Sequence, residues 1–406
     1  MLKKLPLHTQ IIIGLVLGLV FGLLTIKTGI PSWITIDFIK PVGTIFINGL
    51  KMIAMPLVLA SLVIGVSNLG DISKLSRIGG KTLLTFLITT VIAISIGLTL
   101  VNVFVPGEGL ALQPIVDMVP ENLFSALTDN TAMLQVVLFA ILAGIALLQI
   151  PKSKAEPVIA FFDGLNEVII QVVNYIMFIA PYGVFALMAS LIVEIAGDNP
   201  DSAVELLLAL LKYSGIVLAG LFLMMLVIYP LLLKSFTRVK YLDFFKAIRP
   251  AQLLAFSTSS SNATLPVSMK LTEEELGVSE NVTSFVLPLG ATINMNGTSL
   301  YQGVAAVFIA QALGMDLTIS QQLMIVLTST LAAIGSAGVP GAGLIMLIVV
   351  LESIGVPAAG IALIMAPDRI LDMFRTVVNV TGDIVVTTVV ASTEGELPDG
   401  LLRKSN

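Results

Sequence analysis

The sequence predicts an all-α polytopic membrane protein, with eight transmembrane helices plus two re-entrant helical hairpins arranged as inverted repeats. Three observations carry that prediction. Of 406 residues 56% are hydrophobic and only 12% charged, against about 25% charged in a soluble domain. Apolar runs such as TQIIIGLVLGLVFGLLTI (Thr9 to Ile26) recur along the whole length, each long enough to cross a hydrocarbon core of about 30 Å as a helix. Two later runs, near 242–277 and 318–354, are apolar at both ends and broken in the middle by FSTSSSNATLP and AAIGSAGVPGAG. A barrel would need alternating segments of about 10 residues, whereas these runs are uniformly apolar.

In chain order, six spans fall near 9–26, 38–66, 80–105, 130–149, 156–182 and 204–233. No small-residue cleavage pattern follows the first, so it reads as a span and not a signal peptide. The first broken segment comes next, then a long span at 279–313 containing NMNGT (Asn294 to Thr298). The second broken segment and a last long span at 355–393 repeat that order. A Ser-rich or Gly/Pro-rich break leaves backbone polar groups that lipid cannot satisfy, so it must line a cavity or be buried in protein. Hairpin followed by interrupted span thus occurs twice, with Ser261 to Pro266 in one tip and Ser336 to Pro340 in the other. Paired interruptions of this kind point to a binding site between inverted repeats.

Cytoplasmic loops carry the excess of Lys and Arg. That rule places Lys3 and Lys4, the loop with Lys74, Arg77 and Lys81, the loop with Lys152 and Lys154, the stretch Lys234 to Arg249, and the tail with Arg403 and Lys404 inside the cell. The acid-rich stretches PGEGLALQPIVDMVPENLFSALTD and EIAGDNPDSAVE face out, and both termini are cytoplasmic. With no cysteine and His8 as the single histidine, disulfides, thiolate metal sites and iron–sulfur clusters are excluded. Lys51 and Lys212, isolated among apolar residues, read as side chains that snorkel to an interface. GGKT at Gly79 to Thr82 ends like a phosphate-binding loop, but Leu75 stands where the earlier glycine belongs and no strand precedes it. Any pumping therefore draws on an ion gradient.

The last span holds the chemistry. Asp368, Asp372, Arg375, Asn379 and Asp383 are spaced 4, 3, 4 and 4 apart, which puts all five on one helical face. Facing lipid, the central Asp372, Arg375 and Asp383 would cost on the order of 10 kcal/mol together. The stripe must face protein or water. One reading is a structural ion pair between Asp372 and Arg375 that pins helices together. The other uses the rigid fork of Arg375 to clamp an anionic substrate group, Asp372 to hold a cationic one, and Asp383 with Asn379 and Asn294 as a hard-oxygen site for a small cation. Two broken hairpins and an interrupted NMNGT nearby favour the second.

SSSNATLP, PLGATINMNGTSLYQG, AAIGSAGVPGAG and LDMFRTVVNVTGD, in this order and spacing, closely resemble the glutamate/aspartate and dicarboxylate:cation symporter family. The resemblance is specific over some 150 residues and weaker through the first six spans. It implies a homotrimer in the cytoplasmic membrane and an elevator motion. Residues 1–233 would form helices 1–6, a scaffold for trimerisation with helices 3 and 6 associated with the moving part, and 234–406 the transport core. By motif, Arg375 would hold the substrate side-chain carboxylate, Asp372 its amino group, and Thr376 and Asn379 would complete the pocket. Ser261, beside Ser259 and Ser260, and Thr298 would bind the main-chain carboxylate. Val339 and Gly343 would form the outer gate.

The resemblance implies one sodium site at Gly290, Asn294, Asn379 and Asp383, and a second at Thr292, Met295, Ala333, Ile334 and Ser336. A third would involve Phe86, Thr89, Thr90, Asn294 and Asn296. Most family members have Asp where Asn296 stands, and an amide lacks the formal charge that offsets desolvation of Na+, so this site is expected to be weak or absent. Members also place an extra arginine near the substrate, at the positions of Ser259 or Met373, and neither is Arg here. Asp372 is accordingly expected to lack a second cationic neighbour. The resulting reading is a sodium-coupled importer of aspartate or glutamate. Proton coupling is next, and the rivals are a C4-dicarboxylate or neutral amino-acid carrier and, from another class, an ion channel with the stripe lining a pore. No Ser/His or paired-acid arrangement supports an enzyme.

Overall fold

The computed structural model describes residues 7–28, 30–67, 76–104, 133–196, 200–334, 336, 338 and 340–397. The expectations for Lys3, Lys4, Lys74, the acid-rich stretch 106–129, the gate residue Val339, Arg403 and Lys404 lie outside the described residues. Those described are helical throughout, with no strand among them. In the first half these are α1 (Leu7–Thr28), α2 (Lys40–Ser67, entered through a π-helical turn at Ile34–Ile39), α3 (Ser76–Val103), α4 (Met133–Gln149), α5 (Lys152–Phe178) and α6 (Ala180–Ala196). α7 (Pro200–Leu223) runs through a π-helical stretch at Met224–Ile228 into α8 (Tyr229–Phe236).

Four stretches of the described residues are long and apolar enough to cross a membrane: Thr9–Thr28, Ile78–Val103, Leu208–Phe236 and Pro367–Glu394. The span expected at 156–182 differs in form. It stops at Phe178, restarts at Ala180 and continues to Ala196. Pro181 has no N–H for a continuing ladder, and the amides of Tyr182 and Gly183 both turn back to the Ile179 carbonyl, at 3.1 and 3.0 Å. The restarted helix packs on α1 through Gly14 and Gly18. A Cβ at either glycine would stand 2.2 or 2.4 Å from the carbonyl oxygen of Pro181 or Phe185, so small residues four apart let the two backbones meet.

The second half is built from two helical hairpins and two interrupted helices. α9 (Tyr241–Thr258) and α10 (Ser261–Glu274) pack on each other, as do α13 (Ile319–Ile334) and α14 (Ala342–Ser353). α11 (Glu280–Ile293) and α12 (Asn296–Ala312) are one helix unwound at Asn294 and Met295, whose φ and ψ of −115°, 58° and −91°, 64° leave the helical region. α15 (Ile361–Glu394) follows a short 3₁₀ turn at Ala358–Gly360 and ends at Gly395, φ 74°.

Two groupings position the site. α1, α2, α4, α5 and α6 pack mainly among themselves, whereas α3 and α7 lie against α12 and α15. α12 is buried along its length from Asn296 to Gln311. The membrane-length stretch of α15 is 83% buried, so its polar stripe faces protein and escapes the lipid penalty. Large apolar side chains such as Phe178, Leu211, Leu242 and Ile319 are exposed on the outer faces, as a multi-pass membrane protein requires.

Candidate functional site

The two hairpin tips meet. Ser259 turns the first in the left-handed region, φ 52°, the only non-glycine residue to do so among those described. Ser260 then caps α10, its Oγ accepting from the Ala263 N–H at 3.1 Å, which satisfies one of the donors a helix start leaves open. The same hydroxyl donates to the Gly338 carbonyl of the second tip at 2.6 Å, and the Asn262 N–H donates to that oxygen at 3.2 Å. The second tip has no side-chain cap of its own. Gly341, φ 79°, precedes α14, and its N–H donates to Asp372 Oδ2 at 3.1 Å.

Between the tips and α15 lies a cavity of about 10 Å³, room for roughly one water. It is lined by seven of the residues expected to bind substrate: Ser259, Ser261, Thr298, Gly343, Asp372, Thr376 and Asn379. Met295 and Ser336, expected in the second cation site, line it too, as do Gly338 and Ala342, which the motifs did not single out. The hydroxyls of Ser259 and Ser336 are buried there and find no hydrogen-bond partner in the described protein. Ser260 and Arg375, also expected to bind substrate, are not among the lining residues.

Arg375 is fully buried. Its Nη2 donates to Asp372 Oδ1 at 2.7 Å, its Nη1 lies 3.1 Å from Asp368 Oδ1 as an ion pair, and its Cζ stands 3.8 Å over the Tyr301 ring, a cation–π contact. The plain pair that the spacing allowed is therefore formed, with Asp368 as a second acid. A Cβ on Gly343 would stand 3.6 Å from that guanidinium, so the second hairpin covers it. Thr376 Oγ1 donates to the Asp372 carbonyl at 2.8 Å. Asn379 bridges to the unwound helix, accepting from the Gly297 N–H at 2.7 Å and donating to Thr298 Oγ1 at 3.1 Å. Gly297 permits this approach, since a Cβ there would be 2.6 Å from the Arg375 carbonyl oxygen.

One expectation is overturned. Asp372 does have a second cationic neighbour: Arg369, nine-tenths buried, places Nη1 3.4 Å from Asp372 Oδ2. It sits three residues earlier on the same helix, where i,i+3 side chains meet, and neither hairpin nor position 373 is needed to supply it. Arg369, Tyr301 and Gly341 are thus site residues to which sequence reasoning gave no role, and Asp368, the first residue of the stripe, gains one. For Arg369 and Asp368 the signal was in the sequence as DRILD, i,i+3 and i,i+4 relations to Asp372.

Toward the other end of α15 the partners are neutral. Asn294 Nδ2 donates to Asp383 Oδ1 at 2.8 Å, and Asn294 Oδ1 accepts from Thr89 Oγ1 at 3.3 Å. Gly290 and Phe86 lie against Asp383: a Cβ on Gly290 would be 2.7 Å from Oδ1 and 3.1 Å from the Phe86 ring. Asp383 is buried and has no ion pair among the described residues. Beside it Thr90 Oγ1 donates to Asn296 Oδ1 at 3.0 Å, Asn296 Nδ2 donates to Tyr229 Oη at 3.3 Å, and Tyr229 donates to the Val378 carbonyl at 3.0 Å. Of the remaining second-site residues, the Ala333 carbonyl accepts from the Ser336 N–H at 3.4 Å at the end of α13, which also holds Ile334. The Thr292 hydroxyl turns back to its own helix, donating to the Leu289 carbonyl at 2.9 Å.

Residues 7–393 match the sodium:dicarboxylate symporter family. The chain belongs to this family. Among its relatives, the chain is 36% identical to the proton/sodium-glutamate symport protein of Geobacillus stearothermophilus, with 97% of this chain and 96% of that protein covered. It is 34% identical to the proton/glutamate-aspartate symporter of Escherichia coli (strain K12), covering 96% and 93%. It is 33% identical to the C4-dicarboxylate transport protein of Bacillus subtilis (strain 168), covering 97% and 94%. A symporter-family chain of this kind is a transport protein and not an enzyme.

Proposed function

We propose that the chain imports an acidic amino acid, L-aspartate or L-glutamate, across the cytoplasmic membrane by symport with sodium. The observation that carries this reading is the buried Arg375, covered by the second hairpin and opposed by Asp372 beside the cavity between two tips. An amino dicarboxylate offers each of these charges its opposite: a side-chain carboxylate for Arg375 and an amine for Asp372. Thr298 and Ser261, with the Ser259 and Ser336 hydroxyls that have no partner among the described residues, would receive the main-chain carboxylate. The cavity is too small for such a substrate, so loading requires the second tip to move. That movement breaks the Gly341–Asp372 bond and leaves Asp372 Oδ2, still beside Arg369, open to an incoming amine.

The coupling ion follows from Asp383. A buried carboxylate with only an amide for company is costly, and a small cation with hard-oxygen preference offsets it. Gly290, Asn294 and Asn379 would complete that site; Thr292, Met295, Ala333, Ile334 and Ser336 a second. Around Asn296 the amide chain from Thr90 to Val378 is already satisfied, which favours two sodium ions over three. The relatives named for proton symport keep a proton as the alternative. Filling the cation site favours closure over substrate, a coupling free energy that must be reciprocal. We further infer the elevator arrangement: α1, α2 and α4–α6 as the trimeric scaffold, with α3, α7 and everything from α9 onward as the moving core, eight spans in all, and both termini cytoplasmic.

Uptake of labelled aspartate into proteoliposomes, with sodium and proton gradients imposed separately, tests the proposal. Accumulation driven by the sodium gradient alone is expected. Accumulation driven only by a proton gradient would move the assignment to proton coupling, and current without saturable uptake would replace the carrier by a channel.

A further inference from the structure

Arg369 is the basic residue of the site that the proposed transport cycle does not use. It lies one residue off the stripe, so its side chain leaves the helix about 100° around from Asp368 and turns toward the first half of the molecule. There a cavity of about 30 Å³ separates it from Ile11, Phe46, Ala180 and Val184. All four are apolar, and the acids that line this cavity among the described residues, Asp368 and Asp372, stand on Arg369's own helix. Its Nε is buried without a hydrogen-bond partner in the described protein, and its ion-pair partner is Asp372.

Asp372 therefore holds two guanidinium groups, one per oxygen: Arg375 on Oδ1 at 2.7 Å and Arg369 on Oδ2 at 3.4 Å. A substrate carboxylate that draws Arg375 away leaves Asp372 with Arg369 alone. If the substrate carries an amine, that amine, arriving at the oxygen Gly341 gives up, restores the charge that was lost. If it does not, the acid would be stranded in a buried site unless another cation stayed with it, and stranding a buried charge is what makes broken ion pairs expensive.

Resting on the acidic-substrate reading above, we propose that Arg369 is a specificity-determining positioning residue: by remaining on Asp372 it relaxes the requirement for a substrate amine, so that plain C4-dicarboxylates compete for the same pocket. Arg369 does not touch substrate. It sets how much the amine is worth by deciding how exposed Asp372 is when Arg375 turns to the incoming carboxylate.

The test is competition of succinate against labelled L-aspartate on the purified full-length protein in proteoliposomes, comparing wild type with Arg369→Gln and Arg369→Lys. In wild type, succinate is expected to displace aspartate. In Arg369→Gln the ratio of succinate to aspartate inhibition constants should rise roughly tenfold or more, a decade being about 1.4 kcal/mol, and Arg369→Lys should bring it back toward the wild-type value. A merely structural Arg369 would weaken both ligands alike and leave the ratio unmoved, which overturns the proposal. Failure of wild type to bind aspartate would instead overturn the acidic-substrate reading on which it rests. Should Arg369→Gln not fold, the wild type decides: displacement of aspartate by succinate supports the proposal, and its absence overturns it.

Discussion

Between Asp368 and Arg375 the last helix holds two acids and two arginines; between Asn379 and Thr388 it holds one acid and no base. Both stretches are buried and both face the interrupted helix α11–α12, yet they solve the problem of charge differently. The first carries its own counter-ions, closed into a chain from Asp368 through Arg375 and Asp372 to Arg369. The second sets Asp383 against the Asn294 amide, Gly290 and the Phe86 ring, none of which balances it. A self-balanced cluster exchanges partners with a zwitterionic visitor at little net charge cost, whereas an unbalanced acid calls for a cation. The difference between the two stretches is the physical basis for assigning substrate to one and coupling ion to the other.

The largest blow to that contrast is Arg375→Ala. It leaves Asp368 and Asp372 with Arg369 alone, and breaking a buried pair costs about 3 to 5 kcal/mol. Titration calorimetry should show aspartate binding abolished while some neutral amino acids still bind; aspartate affinity retained in this variant would sink the clamp. Next is Asp383→Asn, which removes the lone acid while keeping its shape. Typical coupling between two ligands is roughly 5- to 150-fold, so the sodium dependence of aspartate affinity should flatten by a factor in that range. An unchanged sodium dependence would mean the cation binds elsewhere.

Asn296→Asp sharpens the comparison by adding charge where the structure has none. Thr90 can still donate to it, but Tyr229 donates onward to Val378 and would present a lone pair to the new carboxylate. A second uncompensated acid should make aspartate binding steeper in sodium and the melting temperature more sodium-dependent. Equal steepness before and after the change would show that this pocket takes no ion. The smallest expected effect is Ser259→Gly, at the first tip. Glycine holds φ 52° without the steric cost other residues meet there, so the substitution should alter stability by well under 1 kcal/mol, read as a small shift in thermal midpoint, while loss of the hydroxyl should weaken aspartate binding by about fivefold.

Much of this was legible in the sequence because it takes the form of interruptions. Polar residues inside an apolar helix have few permitted explanations, and both the unwinding at Asn294–Met295 and the buried stripe of α15 follow from that restriction. The two hairpins were legible for the same reason. What stayed hidden was what depends on contacts between distant segments. Nothing in SSSNATLP announces that Ser260 donates to Gly338, and nothing in VPGAG announces that Gly341 leans on Asp372. Arg369 escaped because it stands off the five-residue face, although its relation to Asp372 is as local as that of Arg375. The break at Ile179 was missed because the run around Pro181 stays apolar, and hydropathy does not register a helix that ends and restarts.

A carrier that admitted its ion without its passenger would short-circuit the gradient it lives on. The bond from Gly341 to Asp372 bears on that hazard: the oxygen that would greet an arriving amine is the same one that keeps the second hairpin latched. In the proposed cycle, loosening the latch and receiving the passenger would be a single event at one atom, which would discourage idle leakage without a separate lock.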